Sequence, residues 1–155
     1  MPRIDTEPVD TEVARALLAE YVAARAASFP GRAYTPTTPD PAAFTPPAGV
    51  FVLLRDGDLP VGCGGIRRLT AEDAAVRYEV KHLFLRPETR GRGWGRLLLE
   101  ELEQRARSFG ATELVLDTHH TLEAAAALYA ASGFRTIPPY NDNPNATRWY
   151  RKPLT

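Results

Sequence analysis

The sequence has one cysteine, Cys63, among 155 residues. Neither an intramolecular disulfide framework nor a multi-cysteine metal site can form from it. Histidine is scarce too: the three are His82, His119 and His120. Any metal site built from them would be sparse, and no metal is expected. Net charge is lacking, because 19 Lys plus Arg balance 19 Asp plus Glu. A zero total argues against a general polyanion binder, so nucleic acid is not an expected partner, although a local basic patch fits inside a neutral sum. Long apolar runs are missing. The longest strongly apolar stretch is Val50 to Leu54, far too short to cross a bilayer, and no membrane is expected as a partner. The stretch from Met1 to Thr11 holds Asp5, Glu7 and Asp10 and no apolar core, which is not the pattern of a secretory signal. A soluble, cytoplasmic protein is expected.

What is present is ordinary for a globular chain: 44% hydrophobic and 25% charged residues. The length suits one domain over 1–155. A core of that size buries about 68–70% of the surface of the unfolded chain and needs no covalent staple.

Asp10 and Thr11 are candidate N-caps for a first helix. Its apolar stripe is Val13, Leu17, Tyr21 and Ala24. Pro30 ends the pattern, and six of the fourteen prolines fall between Pro30 and Pro47. Neither helix nor ladder is well tolerated there. The segment is a surface loop or a loop packed over a substrate site, with Tyr34 and Phe44 as contacts. Strands follow over Val50–Arg55, Val61–Leu69 and Val76–Leu85, with a turn at Asp56-Gly57 and another near Glu72 and Asp73. Gly62, Gly64 and Gly65 mark a bend or a close approach. Leu98, Leu102, Ala106 and Phe109 recur at helical spacing before Gly110, a C-cap glycine. Glu101–Arg105 and Glu103–Arg107 are i,i+4 pairs on that helix. A buried strand over Glu113–Asp117, an alanine-rich helix over Thr121–Ser132 and strands over Phe134–Ile137 and Thr147–Lys152 complete the chain. The order predicts an α+β domain, a mixed sheet flanked by helices.

The most informative segment runs from Leu83 to Leu97. A strand enters a turn with glycines at 91, 93 and 95, and the turn opens a helix. Helix N-termini carry free N–H groups and the positive end of the dipole, so this turn is an anion site, with phosphate the common anion. Arg90, Arg92 and Arg96 add positive charge. A P-loop is excluded because no Gly-Lys-Ser/Thr string occurs. The dinucleotide fingerprint is excluded because Arg96 and Leu98 stand where its third glycine belongs. The other reading is a glycine-rich turn with solvated arginines.

Arg90 to Gly95 fits R-x-x-G-x-G, and Leu128 to Phe134 fits L-Y-x-x-x-G-F. Together they resemble the acetyl-CoA motif and the later helix signature of the GNAT superfamily, the Gcn5-related N-acetyltransferases, over residues from about 50 to 152. The resemblance implies the acyl-CoA N-acyltransferase fold, with a central, mostly antiparallel sheet, and acetyl-CoA as cosubstrate. The backbone of Leu83, Phe84 and Leu85 would pair with the pantetheine amides where two strands splay. N–H groups from Gly91 through Arg92, Gly93, Trp94 and Gly95 to Arg96 would hold the pyrophosphate. Tyr129 matches the tyrosine near the CoA sulfur, a general acid for the leaving thiolate; its alternative is a core aromatic. The asparagine that many members carry seven residues before that tyrosine is Leu122 here, so Thr118, His119 or His120 would supply its contact.

Amide formation from a thioester needs a neutral amine, and an alkylammonium has a pKa of about 10.4. A carboxylate is the usual helper. Glu79 stands mid-strand, eleven residues before Arg90, where the histone-acetylating members place their base glutamate. It would act directly or through water; its alternative is an exposed-face glutamate on an amphipathic strand. Glu88 follows Pro87 in a turn and is the weaker candidate. A backbone N–H at the splayed strand would polarise the carbonyl. Cys63 reads as a buried small residue. The Ile137–Asn145 loop is similar to a P-P-Y-Y-x-N-P loop of small-molecule bacterial members, with Asn141 replacing the second tyrosine. Tyr34, Tyr140 and Asn143, with Asp142, are candidate acceptor contacts. The resemblance implies direct transfer of an acetyl, or another acyl, group to a primary amine of a small molecule, amino acid or peptide. The alternative is a non-catalytic acyl-CoA-binding or sensing module. Homodimers are frequent in the superfamily.

Overall fold

The computed structural model describes residues 2–29, 34–70 and 75–154. The expected turn near Glu72 and Asp73, and the Pro30 end of the proline-rich loop, lie outside the described residues. Seven strands form one sheet in the order β1-β2-β3-β4-β5-β7-β6. They are β1 (Pro2–Thr6), β2 (Gly49–Asp56), β3 (Leu59–Leu69), β4 (Arg77–Leu85), β5 (Glu113–Thr118), β6 (Arg135–Ile137) and β7 (Arg148–Pro153). The helices are α1 (Glu12–Ser28), α2 (Trp94–Ser108) and α3 (Glu123–Ala131). Among the described pairings only β4–β5 is parallel. The sequence misses β1: its five residues hold one large apolar side chain, Ile4, because it is an edge strand paired on one side to β2.

Strand alternation sorts the core into two layers. Val50, Val52 and Leu54 of β2 face α2, meeting Leu98, Leu99 and Leu102. Phe51 and Leu53 face the other way and meet Ala14 and Leu17 of α1. Helix α1 begins as expected, with Thr11 Oγ1 accepting from Ala14 N at 3.2 Å. Its buried stripe is displaced from the expected one. Ala14, Leu17 and Arg25 are buried, whereas Val13 is 36% exposed. Helix α2 has the expected ion pairs, Glu101–Arg105 at 2.7 Å and Glu103–Arg107 at 3.4 Å. Gly110 and Gly133 take positive φ just past α2 and α3, which lets each helix end without a Cβ clash. Among the described residues no helix is long and apolar enough to cross a membrane.

Two irregularities shape the centre. Gly65 pairs with Lys81 and Cys63 with Phe84, so β4 carries one residue more than β3 across this stretch. The extra residue is a bulge centred on His82, whose φ is 58°. Just before it, β4 and β5 part: they pair at 77–79 with 113–115 and no further. The close approach expected of the β3 glycines is to Phe44, because a Cβ on Gly65 would lie 2.8 Å from its ring. Gly65→Ala is therefore expected to lower unfolding stability by about 1–3 kcal/mol, the range for overpacking. A chemical-denaturation midpoint unchanged from wild type would show that Phe44 yields freely.

Candidate active site

A cavity of about 1100 Å³ runs from the glycine turn, through the gap between β4 and β5, to a chamber under α1. Its first wall is the turn itself. Gly91 and Gly93 have φ of 81° and 77°, and a Cβ at either position would meet nothing within 4 Å. The backbone there is bare and turned outward. Gly93 caps α2, and Leu97 N bonds to its carbonyl at 3.2 Å. The N–H groups of Trp94, Gly95 and Arg96 precede that first bond, and all three residues line the cavity. The cradle fits a phosphate-bearing cosubstrate. Arg90 and Arg96 line the cavity, and Arg96 also reaches Glu100 at 3.1 Å. Arg92 does not line it: its guanidinium lies 5.0 Å from the Trp94 ring centre and 3.8 Å from Asp56. Of the three arginines, then, two face the site.

The second wall is the parted edge of β4, where Leu83, Phe84 and Leu85 line the cavity. Ladder partners on the β5 side stop at Glu79, so this edge is free to pair with an extended amide chain. Opposite stands α3. Tyr129 is buried to 7% exposure, with its ring against Phe134 and Tyr150. It nevertheless lines the cavity, so a core position and a wall position coincide. Burial first, then the fields of Tyr150 and Asp117, raise its phenol pKa, and the hydroxyl is a proton-bearing donor at neutral pH. Leu122 and Thr118 line the same stretch. His119 and His120 do not: they bond to Thr121 at 2.7 Å and Thr147 at 2.8 Å.

The third wall is ionic. Glu79 has no exposed surface. Arg67 donates to its Oε1 at 2.9 Å and Tyr140 to its Oε2 at 2.5 Å, while Lys81 Nζ lies 3.7 Å from Oε2. It is neither an exposed-face residue nor part of the cavity wall. Lys81 also donates to Asp117 at 3.1 Å, and Asn141 donates to Asp117 at 2.7 Å. Lys81, Asp117 and Asn141 do line the cavity. Sequence reasoning missed Asp117 and Lys81. Their signal was an acid at the last turn of a buried strand and a lysine two residues after Glu79 on the same strand face. Tyr140 sits behind the wall with Glu79, and Arg77 lies 5.7 Å from its ring centre. Asn143 is on the wall; Asp142 is exposed and off it. Glu88 lies exposed in a 3-10 turn, Pro87–Thr89, away from the cavity.

The roof comes from residues 34–48 of the α1–β2 loop. Tyr34 and Phe44 line the cavity. Buried Asn145 accepts from Thr35 N at 3.0 Å and donates to Thr35 O at 2.6 Å. That double bond ties this loop to the β6–β7 loop. His82 projects into the chamber between Tyr21 and Phe44, at ring distances of 6.0 and 5.7 Å. Burial, then the charges of Lys81 and Arg67, lower its pKa to about 4.

With this geometry in view, the comparisons agree. Residues 14–134 match the Acetyltransferase (GNAT) family. The chain belongs to that family. It is 36% identical over 102 residues to an uncharacterized N-acetyltransferase of Schizosaccharomyces pombe, which covers 65% of this chain and 61% of the relative. The alignment thus spans about three fifths of that relative's length. It is 36% identical over 138 residues to the N-alpha-acetyltransferase RimI of Mycobacterium tuberculosis, covering 86% of this chain and 82% of the relative. An acetyltransferase of the GNAT family from Staphylococcus aureus has the same fold, with a TM-score of 0.82 at 19% identity over 100% of both chains. The family fold is the mixed sheet flanked by helices expected from the sequence, with β1 as a seventh strand that the sequence did not show.

The neutral chamber histidine has a measurable consequence. A histidine depressed in the folded state binds less proton than in the unfolded chain between pH about 6.5 and 4, so stability falls as pH drops through that window. The full span is about 3 kcal/mol at 1.36 kcal/mol per unit. His82→Asn keeps a residue tolerant of positive φ and is expected to flatten the decline, read as thermal midpoints between pH 7 and 4. An undiminished slope would assign the decline to other groups.

Proposed function

We propose that this chain is an acetyl-CoA-dependent N-acetyltransferase that transfers the acetyl group directly to a primary amine. The observation that carries this reading is the continuity of one cavity. The glycine turn and free β4 edge lie at one end, Tyr129 in the middle, and Lys81, Asp117 and the α1 chamber at the other. A binding or sensing module would need the first part alone. The acceptor is a small molecule, an amino acid or a peptide terminus; the roof drawn over the chamber by the Thr35–Asn145 tie favours the compact ones.

Acetyl-CoA would bring an activated acyl group as a thioester. The N–H groups of Gly91 through Arg96 would hold its pyrophosphate, and the unpaired edge at Leu83–Leu85 would order its pantetheine arm. A backbone N–H of the bulged strand would steady charge on the carbonyl oxygen as the amine adds. Tyr129 would then donate a hydrogen bond to the departing sulfur. A thiol ionises at about 8.5 and an ordinary phenol at about 10. Raising the phenol further keeps the proton on Tyr129, so its role is hydrogen-bond donation rather than full proton release.

The amine must shed a proton. Glu79, the first candidate from the sequence, is sealed behind Tyr140 and Arg67. Asp117 is the wall carboxylate that neighbours Glu79, and Lys81 links the two. The proposed proton acceptor is therefore this linked pair, with Asp117 in contact with the amine and Glu79 holding Lys81 and Tyr140 in place. Acetyl-CoA binding by calorimetry, with thiol release over a panel of amines, tests the function. Asp117→Asn is expected to reduce kcat about 100-fold or more, in the range of general acid–base contributions, and Tyr129→Phe about 100-fold, the range for losing one preorganised hydrogen-bond donor, each with the acetyl-CoA Kd within about twofold. Binding without turnover on any amine would favour the sensing module. An unchanged kcat in Asp117→Asn would remove the pair as proton acceptor.

A further inference from the structure

Helix α1 ends its buried stripe on a charge. Arg25 stands where the spacing of Ala14, Leu17 and Tyr21 calls for an apolar residue. Only 8% of it is exposed. It forms no ion pair among the described residues, and its Nη1 is buried without a hydrogen-bond partner. What surrounds it is aromatic. The guanidinium carbon lies 5.6 Å from the Phe29 ring centre and 5.1 Å from that of Tyr34. Arg25 lines the cavity.

A guanidinium out of water needs an anion or acceptors for its donors. Two rings satisfy its face but not its edge, because cation–π contact uses the π cloud and leaves the N–H fork open. The fork matches a carboxylate, which it binds through two parallel bonds. The cosubstrate's phosphates are an ill-suited alternative, since their cradle is the glycine turn at the far end of the cavity. Two acids near the chamber are held, Asp117 by Lys81 and Asn141 and Glu79 by Arg67 and Tyr140. Asp40 and Glu123 also line the cavity, and among the described residues neither is paired with Arg25. Arg25 therefore stands on the wall as an unpaired cation facing the acceptor's space.

We propose that the acceptor is an amino acid, or a close relative bearing a carboxylate beside its amine, and that Arg25 receives that carboxylate. The assignment rests on the N-acetyltransferase reading and narrows its substrate class. The chamber around the fork is lined by Tyr21, Tyr34, Phe44 and Phe84, so an apolar or aromatic side chain suits it. Arg25 is a binding and orienting residue; the bond-forming step is the one given above.

Matched pairs test this: leucine against isoamylamine, and phenylalanine against 2-phenylethylamine. The expected result is a kcat/KM at least tenfold higher for the carboxylate-bearing member, carried mainly by KM. Arg25→Gln should bring the ratio close to one, and Arg25→Lys should restore part of it. Equal rates within each pair in the wild type, or a preference that survives Arg25→Gln, would overturn the proposal. So would an Arg25→Gln variant that loses acetyl-CoA affinity instead, since the fork would then belong to the cosubstrate. A second measurement needs no turnover. In calorimetry on the CoA-loaded protein, N-acetylleucine should bind and N-isoamylacetamide should not, with the difference lost in Arg25→Gln. If no amine is acetylated yet N-acetylleucine still binds through Arg25, the acetyl-transfer reading fails and the carboxylate site stands. If neither compound binds, the carboxylate site fails.

Discussion

β4 and β5 share three residue pairs, from Arg77 with Glu113 to Glu79 with Val115, and then separate. Each strand stays committed elsewhere: β4 keeps its ladder to β3 as far as Leu85, and β5 keeps its ladder to β7 as far as Thr118. The sheet is thus two sheets joined at a short seam. A buried backbone edge with no partner is costly, so the wedge is tenable only where something polar and extended, or water, fills it. The rest of the site follows from that opening. The chain leaving β4 turns at Pro87 and starts α2 at the mouth of the wedge, so the free N–H groups of α2 face it. The chain leaving β5 becomes α3 and sets Tyr129 against it. The His82 bulge adds bend and twist to β4 at the point of divergence.

The two faces of this split sheet do different work. The α2 side is apolar, with Tyr78, Val80, Leu114 and Leu116 buried among the leucines of α2. The α1 side carries the charges: Arg67, Glu79, Lys81, Glu113 and Asp117. They tolerate burial because they come as partners. Glu113 sits between Arg77 at 2.5 Å and Arg151 at 2.9 Å, and Lys81 lies between two carboxylates. Such networks are weak evidence for stability, since desolvation offsets most of the attraction. Their value here is geometric: each carboxylate oxygen and each ammonium is fixed before any ligand arrives.

Local chemistry made much of this legible. The glycine turn, the helix ends at Gly110 and Gly133, the core leucines of α2 and Tyr129 all announce themselves within a few residues. What stayed hidden depends on register. Alternation along β4 would put Glu79 and Leu83 on one face, four residues apart. The His82 bulge breaks the count, so Glu79 shares the α1 face with Phe84, while Leu83 packs toward α2. The type and position of Glu79 pointed to a general base or to an exposed-face glutamate, not to a sealed ion pair. Its enclosure by Tyr140 comes from a loop 61 residues away in sequence, and no periodicity encodes that. Arg25 was hidden for the opposite reason: an arginine in the last turn of a helix reads as a solvated, dipole-matched cation, and only the roof loop turns it inward.

The charge balance of the chamber bears on the amine itself. Under the proposed reading, bringing an alkylammonium from a pKa of about 10.4 to neutrality requires about 4–5 kcal/mol at 1.36 kcal/mol per unit. A bare carboxylate beside the amine would work against this, because an ion pair stabilises the ammonium. Here both nearby carboxylates are already held by Lys81, Arg67, Asn141 and Tyr140, so their pull on an incoming cation is largely answered. His82 is neutral at physiological pH and burial raises the phenol pKa values of Tyr21 and Tyr129, so none of these adds charge. Desolvation on entry then disfavours the ammonium with little opposing it, and Lys81 adds like-charge repulsion at the wall. Asp117 can take a proton in passing because it does not bind the charged amine strongly. Under the proposed reading, the lysine that pairs with Asp117 is also what lets the amine arrive uncharged.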